Sequence, residues 1–291
     1  ARAWAVRAAV NALMPDYGKV SMTRAEMYQR ASEFTRTALD LDPDNALAFG
    51  VRAMVQAVAN ANLIAPKNQV EIFSNFDRAL AIDPKSQSIL MWRGIQYRRV
   101  GRLRDALADF EACVVIDSAY RPCQTNRYVT LHGMGRTEEA LDAYESTLVE
   151  GNSFLGGFEY GMLAKMDQKI AFTILTNSPR LLAGWGRHGD LYEAFHNLDA
   201  DHSELVSEAR SFLNGKLDVD YVYAAPSLLV PIGAYDLIES IGHLWAYEYK
   251  NYRQSPQFKN YMKRTGIFTY WKETGFPPQC RPLGEDDFEC D

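Results

Sequence analysis

Whether this chain can do chemistry turns first on its histidines, cysteines and carboxylates. His196 and His202 stand near Asp199, Asp201 and Glu204, all residue types that can ligate a metal. A zinc-gripping helix presents two histidines four apart on one face, and these two are six apart. The same residues also describe a loop of solvated acids, with Asp201 or Ser203 capping a helix that runs to Leu213. Cys113 and Cys123, like Cys280 and Cys290, lack the Cys-x-x-Cys spacing of zinc sites. Gly184-Trp-Gly186-Arg-His-Gly189 is glycine-rich, but no strand pattern precedes it, so it does not form a phosphate loop. Neither a Gly-x-Ser-x-Gly elbow nor a His-Glu-x-x-His helix occurs. The reading is therefore a protein without catalytic residues, metal or cofactor. The alternative is an enzyme whose pocket is built by residues 154–231, where glycines, His188, His196 and Tyr221 fall together.

Composition narrows the partners. A formal charge of -6, with 31 basic residues spread along the chain, argues against a nucleic-acid surface, which needs clustered Lys and Arg. No run approaches the roughly 18 consecutive apolar residues of a membrane span. The nearest, Tyr221 to Ile241, holds two prolines and two acids. The 291 residues are 47% hydrophobic, enough for a large continuous core. The chain opens at Ala1 inside an amphipathic pattern, which reads as a domain of a longer protein, one that has an upstream output domain.

The elements that would position any site repeat at a spacing of 34. Gly101, Ala106, Leu107 and Phe110 return as Gly135, Ala140, Leu141 and Tyr144. The same interval carries Phe76 onto Phe110 and Ile82-Asp83 onto Ile116-Asp117. Helical spacing predicts a first helix over Ala1 to Met14, broken by Pro15. A second starts at Ser21 or Thr23, with Glu26 completing a capping box, and ends at Leu41-Asp42-Pro43, because proline disfavours helix in the residue before it. Ile82-Asp83-Pro84 repeats that stop. From Asp42 to Asp83 is 41 positions, seven more than the period, and the excess falls at Asn60 to Asn68 as a longer turn. Further on, Phe158 to Leu175 (with Met162 and Met166 as core), Gly189 to Ala194 and Ile232 to Tyr249 read as helices.

This period, with Gly, Ala and aromatic residues in this order, resembles the tetratricopeptide repeat. The resemblance implies an all-α, right-handed solenoid of helix pairs, in which each unit needs its neighbours to bury an apolar face. Three regions follow: tetratricopeptide repeats over 1–151, degenerate helical repeats over 152–249, and a capping helix and tail over 250–291. The last stretch, from Tyr252-Arg253 through Pro256, Phe258, Tyr270-Trp271 and Gly275 to Cys280, resembles the end of bacterial tetratricopeptide proteins. In those proteins the repeats follow a winged-helix or nucleotide-cyclase domain. That implies a sensory or interaction module of a signalling or transcription-regulatory protein. In the family, partners lie along the concave face. Its positions fall on Ser88, Met91, Trp92, Ile95, Arg98 and Arg99 in the third repeat. They fall on Thr125, Asn126, Val129 and His132 in the fourth, and on Gly50, Val51 and Met54 in the second. The implied partner is a protein or peptide held in an apolar groove with a basic edge at Arg98 and Arg99.

The tail carries one more expectation. Cys280 and Cys290 flank a segment without helical periodicity that would fray unless tied down. A bridge between them would stabilise by about 3 kcal/mol through the unfolded chain. It would fit the periplasm, with the cytoplasm and two reduced thiols as the alternative.

Overall fold

A computed structural model describes residues 1–17, 21–64, 68–149, 185–213, 229–237 and 244–291. Helices α1 (Arg2–Tyr17) and α2 (Arg24–Leu41) form the first pair. α1 runs through Pro15, whose missing N–H removes one hydrogen bond of the last turn only. Thr23 caps α2: its side chain accepts from the Glu26 N–H while the Glu26 carboxylate accepts from the Thr23 N–H at 2.8 Å. The Asp42 N–H closes the helix on Ala38, and Asn45 caps the next by accepting from the Ala48 N–H. α3 (Ala46–Ala61) and α4 (Gln69–Ile82) make the second pair, α5 (Gln87–Arg99) and α6 (Leu103–Ile116) the third. α7 (Arg121–Gly133) and α8 (Thr137–Val149) follow. The long turn expected between α3 and α4 spans 62–68, of which 65–67 lie outside the described residues.

Two glycines explain how closely these helices approach. A Cβ on Gly94 would sit 2.7 Å from the ring of Phe110, and one on Gly50 2.7 Å from Ile89. Ala106 and Ala140, one period apart, are both fully buried. The glycines at Gly101 and Gly135, with φ of 81° and 77°, end α5 and α7 in the left-handed conformation that a side chain resists. After each, the next N–H reaches back five residues, Arg102 to Tyr97 and Arg136 to Leu131.

The chain divides into two compact units, each assembled from two stretches. The first comprises Ala1–Cys123 and Tyr261–Pro277; the second Gln124–Asn260 and Pro278–Asp291. In the first, Ala5, Ala8, Phe49, Ile72, Phe76 and Ile89 share one apolar core. The second holds α9 (His188–His196) and α10 (Ser203–Leu213), the latter opened by Asp201 accepting from the Ser203 N–H. Arg187 ties them by pairing with Asp190 and Glu208.

Ile232 to Tyr249 is not one helix. Ala234 donates to Leu229 and Gly233, at φ 82°, to Val230, which is how a helix ends rather than begins. Short 3-10 turns follow at Tyr235–Leu237 and Tyr247–Tyr249. Leu244 and Trp245 are buried nonetheless. Phe158 to Leu175, with Met162 and Met166, lies outside the described residues. Near the end come a single turn α11 (Lys250–Arg253), α12 (Pro256–Arg264) and α13 (Ile267–Thr274). The described residues are mostly helical, and their strands are β1 (Cys280–Leu283) and β2 (Asp287–Cys290), an antiparallel hairpin that helical periodicity could not reveal. Cys280 pairs with Cys290 across it and is bonded to it through a disulfide.

Candidate protein-interaction surface

Helix α5 sorts its residues between core and surface. Trp92 and Arg98 are buried, whereas Ser88, Met91, Ile95 and Arg99 are half-buried and recur at helical spacing along one stripe. Another face of α5 is already engaged. The Arg93 guanidinium donates to both Asp109 carboxylate oxygens, at 2.8 and 2.7 Å, and to Asp77 at 2.8 Å. Tyr97 stacks on Phe73 with ring centroids 4.6 Å apart, and burial pushes its phenol up to about 12. Of the positions expected to line a groove, α5 thus brings together Met91, Ile95 and Arg99.

The others are placed differently. Arg98 was expected on a basic edge, but it is 5% exposed, its guanidinium 5.9 Å from the Phe110 ring centre. Burial, and then the charge of Arg99, lower its pKa to about 9. Reversing its charge would therefore damage the core as well as any binding. Gly50, Val51 and Met54 on α3 are buried in the core of the first unit. Asn126, Val129 and His132 belong to the second unit. There Asn126 is half-buried, while Val129 and His132 are buried. The His132 ring lies 3.3 Å from both the Glu248 carboxylate and the Thr137 hydroxyl. Its environment is that of an internal polar contact.

Sequence reasoning missed how 261–277 sits within the first unit. The Gln69 and Asn60 side-chain amides both donate to the Thr265 carbonyl, at 2.8 and 2.9 Å, and Gln96 donates to Gln69. Tyr261 donates to the Ala61 carbonyl at 3.3 Å, Trp271 to the Val100 carbonyl at 2.8 Å, and Arg102 to Thr274 at 3.0 Å. The segment therefore lies along the turns that join α3 to α4 and α5 to α6. Burial raises the Tyr261 phenol pKa and the charge of Arg99 pulls it back, which sets the C-terminal end of the stripe against this segment. The one available signal was chemical: Asn60, Gln69 and Gln96 are amides each flanked by at least one apolar residue, and a buried amide needs a partner.

The residues that suggested metal or base chemistry are occupied locally. His202 contacts the Asn197 carbonyl at 2.9 Å, and Asp199 accepts from Lys250 and Asn251. His196 packs against Tyr192, ring centres 4.6 Å apart. Among the described residues no group of three or more His, Cys, Asp or Glu could hold a metal. Tyr221 and most of 154–231 lie outside them. No helix among them is long and apolar enough to cross a membrane. All four cysteines are paired, including Cys113 with Cys123, a bridge the sequence reading did not anticipate. No protein-family model matches this chain, and no curated protein matches it.

Proposed function

We propose that this chain is a non-enzymatic interaction module that binds a protein or peptide along α5. In this reading its helix pairs continue as a tetratricopeptide-type right-handed solenoid, with the 261–277 segment as its closing brace. It serves an output domain in a bacterial signalling or transcription-regulatory protein. The observation that carries the reading is the stripe Ser88, Met91, Ile95 and Arg99, half-buried with Met91 leaning on the core, on a helix whose Trp92 and Arg98 are buried and whose Arg93 is held in ion pairs. An aliphatic pair beside a cation suits a short apolar segment ending in an acidic residue. The two disulfides support folding in an oxidising compartment, for which the periplasm is the proposal.

The test is to select peptides from a displayed random library on the intact chain and compare their affinities for wild type, Ile95→Asp and Arg99→Glu. Both substitutions fall on half-buried positions, so the thermal midpoint serves as the folding control. Affinity should fall by about tenfold in each. Selected peptides that bind both variants as tightly as wild type would remove α5 as the site.

A further inference from the structure

The Thr265 carbonyl fixes how the Gln69 and Gln96 amides stand. A carbonyl can only accept, so Gln69 must turn its amide nitrogen toward it, at 2.8 Å. The Gln69 oxygen then faces Gln96, whose amide nitrogen donates to it. Turning the Gln96 amide over would set two oxygens against each other, so its orientation is settled. Gln96 Oε1 is left facing away from Gln69, buried and with no hydrogen-bond partner among the described residues. Donation by the same amide polarises its carbonyl and makes Oε1 a stronger acceptor.

One turn earlier on α5, the Trp92 indole is in the complementary state. Its ring packs in the apolar core of the first unit, yet its Nε1 is shut from solvent and donates to no atom among the described residues. Trp92 is 7% exposed and Gln96 2%. Residues three and four apart on a helix are neighbours, so Ser88, Trp92, Gln96 and Arg99 run in one line, with Met91 and Ile95 beside it. A donor and an acceptor therefore border the half-buried stripe, each without the partner that a buried polar atom ordinarily has. Both destabilise the free chain, and a ligand that bonded to them would remove that cost.

We infer, resting on α5 as the peptide site, that Trp92 and Gln96 hold the backbone of the bound segment. The indole N–H donates to a peptide carbonyl, and Gln96 Oε1 accepts from a peptide N–H. One donor beside one acceptor selects an uncharged group that can do both. A carboxylate would have nothing to donate to the Gln96 oxygen, and an ammonium nothing to accept from the indole. Each peptide residue other than proline brings one donor and one acceptor. Both polar atoms are shut in the free chain, so binding moves the side chains over them. Met91, unbranched and leaning on the core, has the freedom to do so. Backbone contacts add affinity without choosing a sequence, which leaves that choice to Met91, Ile95 and Arg99.

The experiment takes the tightest-binding peptide selected on the intact chain and remakes it with one backbone amide at a time as an ester, which deletes a single N–H. One position, or two neighbouring ones, should lose about tenfold in affinity, and the rest should change by less than about twofold. Trp92→benzothienylalanine puts sulfur in place of the indole N–H and keeps the bulk of the ring. Affinity should then fall about fivefold, while the thermal midpoint holds or rises. A flat ester scan, or unchanged affinity in the Trp92 variant, would overturn the backbone contact and leave α5 as the peptide site. A lower thermal midpoint in that variant would show its N–H already bonded in the free chain through a buried water, and would overturn the contact too. So would affinity that depends on an Asn, Gln, Ser or Thr side chain of the peptide and on none of the esters. Peptides indifferent to Ile95→Asp and Arg99→Glu would instead remove α5 itself, and the backbone contact with it.

Discussion

Cys113–Cys123 and Cys280–Cys290 close loops of the same sequence separation, 10, on unlike backbones. The first spans the corner from α6 to α7, the second the open end of a hairpin. The corners at Asp42 and Asp83 carry the same backbone hydrogen bonds with no cysteine, so the first bridge does not create its corner's shape. The hairpin has other ties as well. Phe288 is fully buried against Phe258, Lys259 pairs with Asp287 at 2.7 Å, and Asp291 donates to Gln279. Arg253 donates to the Leu244, Ala246 and Asp291 carbonyls, which holds the terminus to the second unit. In both places non-covalent contacts specify the conformation, and the covalent bond acts on the unfolded chain.

If that is right, the two bridges should be worth nearly the same. Replacing Cys113 and Cys123 by Ser should destabilise by about 3 kcal/mol, and replacing Cys280 and Cys290 by a similar amount, in denaturant melts that follow each unit. A loss below about 1 kcal/mol at either site would break the comparison, because it would show native strain or residual structure offsetting the loop term. Glycines distinguish the two regions next. Gly94→Ala should cost about 1–3 kcal/mol, since Phe110 is fully buried and its ring blocks the new methyl. Gly284→Ala in the hairpin turn meets no atom within 4 Å, and its φ of 70° alone should cost about 1 kcal/mol. Thermal midpoints of both variants would rank packing against backbone strain.

Smaller effects sharpen the view of the helix ends. Thr23→Ala removes the cap of α2 and should cost about 1 kcal/mol, read from the same melts. Val115→Ser should stay within about 0.5 kcal/mol of wild type, because a side chain 87% exposed contributes little to folding. A clear loss of stability there would mean that the corner packs in solution against something.

Particular residues show how far a reader of the sequence could go. Thr23 with Glu26, Asp42 before Pro43, and Gly101 with Gly135 announce helix starts and ends, and each is satisfied by hydrogen bonds within five residues. Gly233 is the same signal, and taking it as part of a helix was the error at Ile232 to Tyr249. The α5 stripe was half legible. Periodicity marks Met91, Ile95 and Arg99 as neighbours, but Trp92 and Arg98 share enough of that face to be chosen with them. Which of the five is open depends on what packs against α5. The Cys113–Cys123 bridge repeats the separation of Cys280–Cys290, so spacing offered a hint, and pairing still requires that the fold bring α6 and α7 together.

What the sequence by itself determined is therefore the helix starts and stops at Thr23, Asp42, Asp83, Gly101 and Gly135, because caps and stops act over one or two turns. The course of 261–277 was decided by tertiary structure alone. Asn60 and Thr265 meet across 205 positions, and Gln69 and Thr265 across 196. No local rule selects a partner at that distance. The choice is made by the demand that three buried amides and one buried carbonyl find each other when the apolar faces around them close.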